Sequence, residues 1–185
     1  MADGAHRHTL RLMTALRAFS HCIDTISEAV GLGLRWVALL LIALGVVNVF
    51  GRYLGAQIGF QLSSNALLEA QTQAFAVLFL LGASDLLRQD GHIRVDIVHS
   101  HLSARARAWI DLIGGLLVVI PFSLVMLVFG LDYVERSWSR LEVSPNPGGL
   151  PLYPIKTLIL VGFTLLLLQG LSQVIKAASW LRGET

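Results

Sequence analysis

Leu112–Leu131 reads LIGGLLVVIPFSLVMLVFGL, without a charged residue from end to end. Crossing the hydrocarbon core of a bilayer takes about 20 mostly apolar residues in one helix, and this stretch meets that requirement outright. Thr157–Ile175, TLILVGFTLLLLQGLSQVI, meets it too. Working outward, Trp36–Gly51 is also free of charge and reaches spanning length once Arg35 and Arg52 extend their charged ends to the two interfaces. Ala70–Ser84 is the shortest run, bracketed by Glu69 and Asp85. These runs predict an all-α membrane protein with four transmembrane helices, at about 31–53, 66–87, 109–132 and 156–177.

The composition agrees. Hydrophobic residues make up 55% and charged residues 14%, against about 25% charged in soluble domains, and the mean hydropathy is +0.68. The reading is one membrane domain over 1–185, with no separate soluble domain. A net charge of +2, with basic residues spread along the chain, excludes a nucleic-acid partner. The single cysteine, Cys22, excludes an internal disulfide.

The N-terminus is basic (His6, Arg7, His8, Arg11), but no apolar core follows closely enough for a cleaved signal peptide. Instead Leu12, Leu16, Phe19, Ile23, Ile26 and Val30 recur at helical spacing and put an apolar stripe on one face. The expectation is an amphipathic helix over about 10–28 lying at the membrane surface, with arginines reaching lipid phosphates. The alternative is an N-terminal extension of the first span, packed on a partner.

Charge sets the orientation. With the N-terminus inside, only Arg52, Arg136, Arg140 and Lys156 of the 14 Lys and Arg residues fall outside, so both termini are expected in the cytoplasm. Ser63, Ser64 or Asn65 can cap the second span. Four of the five prolines lie in the third loop, Glu142–Lys156, which is therefore expected to be extended and stiff. Tyr133, Trp138 and Tyr153 suit the interface there.

The polar residues argue against autonomous chemistry. No charged residue lies in the middle of a run, whereas ion-coupled transporters place an acid, a histidine or a broken helix at the midplane. Asn48, Gln71, Gln73, Ser84, Ser123, Gln169 and Gln173 read as helix-joining groups. All six histidines fall outside the four runs, which opposes a haem held between spans. His92, Asp96, His99 and His101 form a small cluster whose ordinary reading is a solvated face rather than a metal site. Without a phosphate-binding loop, a GxSxG elbow or a catalytic-cysteine setting, the chain reads as neither an enzyme nor a cofactor protein. Pro121 is expected to kink the third span or leave a gap for a partner's side chain. Arg52 and Glu69, at the outer ends of adjacent spans, are expected to pair; independent anchoring is the alternative.

Arg52-Tyr53 ending the first span, Glu69 opening the second, Gly82-Ala83 late in it, and Arg88 followed by Gly91-His92-Ile93-Arg94-Val95-Asp96 resemble the small membrane subunit of TRAP (tripartite ATP-independent periplasmic) transporters, the DctQ type. Ser144–Pro151 with Pro154-Ile155-Lys156 is similar to a subgroup of longer small subunits. The resemblance covers nearly the whole chain and implies a bacterial inner-membrane location. The implied partners are a large membrane subunit, which carries the substrate and sodium sites, and a periplasmic solute-binding protein that delivers an organic acid. It makes Arg52, Glu69, Arg88, His92, Arg94 and Asp96 structural or interface residues. Trp138, Arg140, Glu142, Pro145, Pro147 and Pro151 form the expected receptor-facing loop. The competing class is a self-sufficient four-span exporter acting as a homodimer, which needs a deep acid in the first span that this sequence lacks.

Overall fold

The computed structural model describes residues 2–59, 64–89 and 102–183, with side chains of the N-terminal helix from residue 14 onward. Among the described residues, five α-helices follow one another: α1 (Ala2–Ile58), α2 (Asn65–Arg88), α3 (Ala104–Gly114), α4 (Ile120–Ser139) and α5 (Tyr153–Leu181). A π-helical turn, Gly115–Val119, joins α3 to α4 without a break. Among the described residues, four helical stretches are long and apolar enough to cross a membrane: Thr14–Gly55, Asn65–Arg88, Ala104–Ser139 and Tyr153–Leu181. The expected spans fall inside these four.

The expected surface helix and the first span are parts of one helix. At about 1.5 Å per residue the 57-residue α1 is about 85 Å long, far more than the roughly 30 Å of hydrocarbon. Gly31 and Gly33 do not interrupt it. Its packed face overlaps the apolar stripe only at Ile23, which is buried with Ser20 and Ser27, while Leu16, Phe19 and Ile26 are exposed.

Pro121 has a visible local consequence. Proline removes the amide that would bond the carbonyl four residues back, and its ring crowds that carbonyl. The chain adjusts just before it, where the Ile120 amide bonds the Gly115 carbonyl five residues back. The Ser123 hydroxyl donates to the Val119 carbonyl at 2.7 Å. The expected disturbance of the third span is thus a widened turn.

The chain divides into two compact units, each made of segments from all four membrane-length stretches. The first comprises Met1–Ala29, Ser84–Val125 and Thr164–Thr185; the second comprises Val30–Ala83 and Met126–Phe163. In the first unit, α5 meets the π turn through glycines. A Cβ on Gly115 would lie 2.6 Å from Val174 Cγ2, and one on Gly170 would lie 2.8 Å from Val119 Cγ1. In the second unit, a Cβ on Gly162 of α5 would lie 2.7 Å from the Leu80 carbonyl oxygen of α2. Such approaches let helix backbones come together where hydrophobic collapse gives no drive, as in lipid. The buried apolar residues are few and mostly small: Ile23, Leu34, Ala74, Leu87, Ala108, Val134 and Ala177. Large apolar side chains such as Trp36, Phe79 and Phe129 face outward, at 75%, 70% and 72% exposure.

Candidate functional site

The most organised polar site lies in the second unit, where the loop between α4 and α5 is fastened at its tip and at its base. Helix α4 ends in a Schellman-type cap: the Leu141 amide bonds the Trp138 carbonyl, and the Glu142 amide bonds the Ser137 carbonyl at 3.0 Å. Leu141 sits there at φ 45°, a left-handed conformation usually left to glycine. The loop then doubles back. Val143 and Pro151 form an antiparallel bridge, and Asn146-Pro147-Gly148-Gly149 makes a tight turn closed by the Gly149 amide on the Asn146 carbonyl at 3.0 Å. Gly148 has φ +69°, and proline followed by glycine at the two central positions is the type II signature. The expectation of an extended loop is therefore corrected. Pro147 sets the first turn angle, Gly148 supplies the positive one, and the chain reverses.

Helix α2 holds this turned loop with one face. Ser64 caps the helix, its hydroxyl accepting from the Leu67 amide at 3.3 Å. Asn65, Glu69 and Gln73 then recur every four residues, on one side of the helix. Asn65 Nδ2 donates to the Pro147 carbonyl at 3.1 Å, and Gln73 Nε2 to the Pro151 carbonyl at 3.2 Å. Between them the Glu69 carboxylate accepts from the Ser144 hydroxyl, from Asn146 Nδ2 at 2.8 Å and from the Leu150 amide at 2.6 Å. The expected pair of Glu69 with Arg52 is thus not formed: both Glu69 oxygens serve the loop, and Arg52 is exposed.

At the base, Glu142 accepts from Lys156 Nζ at 2.5 Å and from the Ser137 hydroxyl at 2.7 Å. These bonds hold its carboxyl below the ordinary glutamate range, the lysine contributing most. The same ammonium sits 4.3 Å from the Tyr133 ring centroid. Trp138 Nε1 donates to Thr157 Oγ1 at 2.9 Å, and its ring meets Tyr153 edge-on at 4.7 Å. Arg140, Pro145, Pro147 and Pro151 are exposed, as are Leu141 and Val143. The loop therefore offers a braced, partly apolar surface with a basic residue beside it.

A second polar cluster lies in the first unit. Asp24 of α1 pairs with Lys176 of α5 and accepts from Gln169 Nε2 at 2.9 Å and the Ser172 hydroxyl at 3.2 Å. The Ser27 hydroxyl donates to Gln169 Oε1 at 2.8 Å, and the Ser20 and Ser172 hydroxyls share a bond of 2.5 Å. Gln169, Ser27 and Ser172 are essentially fully buried. Every buried side-chain polar atom among the described residues has a partner. Such a network joins two helices where an unsatisfied polar group is costly. Of its six members only Gln169 was read as helix-joining from the sequence; Ser20, Asp24, Ser27, Ser172 and Lys176 were missed.

Arg88 pairs with Asp85 at 3.0 Å and reaches Glu28 of α1 at 3.5 Å. His92, Arg94 and Asp96 lie outside the described residues, as do His99 and His101.

The DctQ component of tripartite ATP-independent periplasmic transporters is the family whose sequence model matches, over residues 41–179. That range takes in the loop, its latch on α2, and Gln169, Ser172 and Lys176, but not Ser20, Asp24 or Ser27. No curated protein and no solved structure matches the chain.

Proposed function

Because the chain belongs to the DctQ family of TRAP transporter components, as their small membrane subunit, we propose that it packs beside the large membrane subunit in the bacterial inner membrane and helps dock the periplasmic solute-binding protein. The process served is ion-gradient-driven uptake of an organic acid. Sodium and substrate bind the large subunit, and this chain needs no cofactor of its own.

The observation that carries this reading is where the charges lie. Trp36–Gly51, Ala70–Ser84, Leu112–Leu131 and Thr157–Ile175 contain no Asp, Glu, Lys or Arg. The buried polar groups within them are an amide on Asn48 and Gln169 and hydroxyls on Ser84, Ser123 and Ser172. Such groups join helices; they do not build the charged or broken-helix site that ion coupling uses. The exposed apolar faces of the spans suit lipid and a neighbouring helix bundle.

The basic-residue bias supports both termini in the cytoplasm, with the α4–α5 loop in the periplasm. There the braced loop is a docking surface that is already ordered, which lowers the entropic cost of binding. The test is co-purification of the three components with Ser144–Pro151 replaced by a short Gly-Ser linker. The expected result is an intact complex with the large subunit and lost retention of the solute-binding protein. Loss of the membrane complex, with receptor retention following only from that, would make the loop structural and refute the docking role.

A further inference from the structure

We propose that a basic cavity in the first unit, bounded by the last turn of α2, the first turns of α3 and the end of α5, holds the phosphate of an anionic phospholipid. The cavity encloses about 420 Å³, and Arg88, Arg107, Lys176, Asp111, Gln173 and Trp180 are among its lining residues. Three cations face it against one carboxylate. The acids that steady two of those cations, Asp85 and Glu28 for Arg88 and Asp24 for Lys176, are not in its wall. They orient the basic heads without filling the space those heads border. Arg107 is oriented by a backbone group instead, its Nε–H donating to the Leu102 carbonyl at 3.1 Å.

This chemistry suits a phosphate. The planar guanidinium presents paired donors that match phosphate oxygens, and an ammonium adds a point charge. Gln173 brings a neutral amide to the same wall.

Position chooses a lipid phosphate over a free one. Arg88 is the last residue of α2, Ala104 is the first of α3, and Trp180 lies one residue from the end of α5. All are at the ends of membrane-length helical stretches, the level at which headgroups, arginines and tryptophans gather. Trp180, in the cavity wall, is 40% exposed, and Leu87, Ala104, Ala108 and Ala177 line the same wall, so apolar surface for acyl chains adjoins the basic groups. Basic pockets between spanning helices are a recurrent way of holding anionic headgroups.

The test uses the full chain purified in a neutral detergent and melted with phosphatidylglycerol, phosphatidylcholine or inorganic phosphate added. Phosphatidylglycerol is expected to raise the melting temperature, while the other two leave it unchanged. Arg107→Gln should weaken the phosphatidylglycerol effect about tenfold on the concentration axis, and Arg107→Lys should weaken it less. The site would be a free-anion site, and the lipid assignment overturned, if inorganic phosphate gave the same shift. Equal shifts from the two lipids, or an unaltered response of Arg107→Gln, would overturn the headgroup site itself. If Arg107→Gln does not fold, the comparison of additives on the unaltered chain decides alone.

Discussion

Replacing Gly162 by alanine tests the packing of α5 on α2 most sharply. The added Cβ would lie 2.7 Å from the Leu80 carbonyl oxygen and 3.0 Å from the Leu80 carbonyl carbon and Cβ. Ordinary contact begins at 3.4 Å, so the two helices must part locally by about 0.7 Å. The obstacle is backbone, which has no alternative rotamer. Overpacking of this kind costs about 1–3 kcal/mol, offset by the roughly 0.5–1 kcal/mol that alanine gains over glycine within a helix. Taken at mid-range these leave a net loss of about 1 kcal/mol, or a drop of roughly 2–4 °C in melting temperature for a chain of this size. The assay is thermal unfolding of the purified protein in detergent, with Gly33→Ala as control, since nothing lies within 4 Å of a Cβ there. Gly162→Ala melting with the unaltered protein, or Gly33→Ala falling as far, would refute the reasoning.

Asp24→Ala and Lys176→Ala should each destabilise the chain by about 1–2 kcal/mol, less than for a fully buried pair because Lys176 is half exposed, and the double variant should lose less than the sum; additive losses in a double-mutant cycle would remove the pair from the account. Glu69→Gln should loosen the loop tip, because a neutral amide cannot accept from three donors with carboxylate strength; faster labelling of a cysteine placed at exposed Pro145, with Cys22 changed to serine, reads this, and an unchanged rate would mean the latch does not hold the loop. The depressed carboxyl of Glu142 stabilises the loop base fully above the ordinary glutamate pKa of about 4.3, and that contribution fades as pH falls through its lower folded value. The fluorescence of Trp138, which packs at the loop base, should therefore change in the unaltered chain as the pH falls below the ordinary glutamate range, while a Glu142→Gln chain, loose already at its base, should respond less.

The spans were legible because a charge-free run of spanning length has few other readings, and Leu112–Leu131 and Thr157–Ile175 needed nothing further. The disturbance at Pro121 was legible in kind, since proline must break one helical hydrogen bond, but whether a kink or a widened turn absorbs it depends on neighbours such as Ser123 and Gly115. The loop was read as extended because its prolines were counted together. Asn146-Pro147-Gly148-Gly149, read as four turn positions, already encodes the reversal. The Arg52–Glu69 pair failed because position along a span fixes depth and not direction around the helix. The polar repeat Asn65, Glu69, Gln73 was the usable signal: three hydrogen-bonding side chains on one face ask for something polar opposite. Asp24 and Lys176 were missed because their 152-residue separation leaves no local pattern to join them. The apolar stripe of α1 read as one continuous membrane-facing side, whereas its member Ile23 is buried with Ser20 and Ser27 and Leu16, Phe19 and Ile26 are exposed.

Solute uptake into liposomes under a sodium gradient, with the solute-binding protein supplied outside, tests the central claim most directly. Background uptake by this chain alone is expected, with uptake restored once the large membrane subunit is reconstituted with it, because no charged residue lies in the middle of its spans. Gradient-driven uptake by this chain alone, at the rate of the complete system, would contradict the claim.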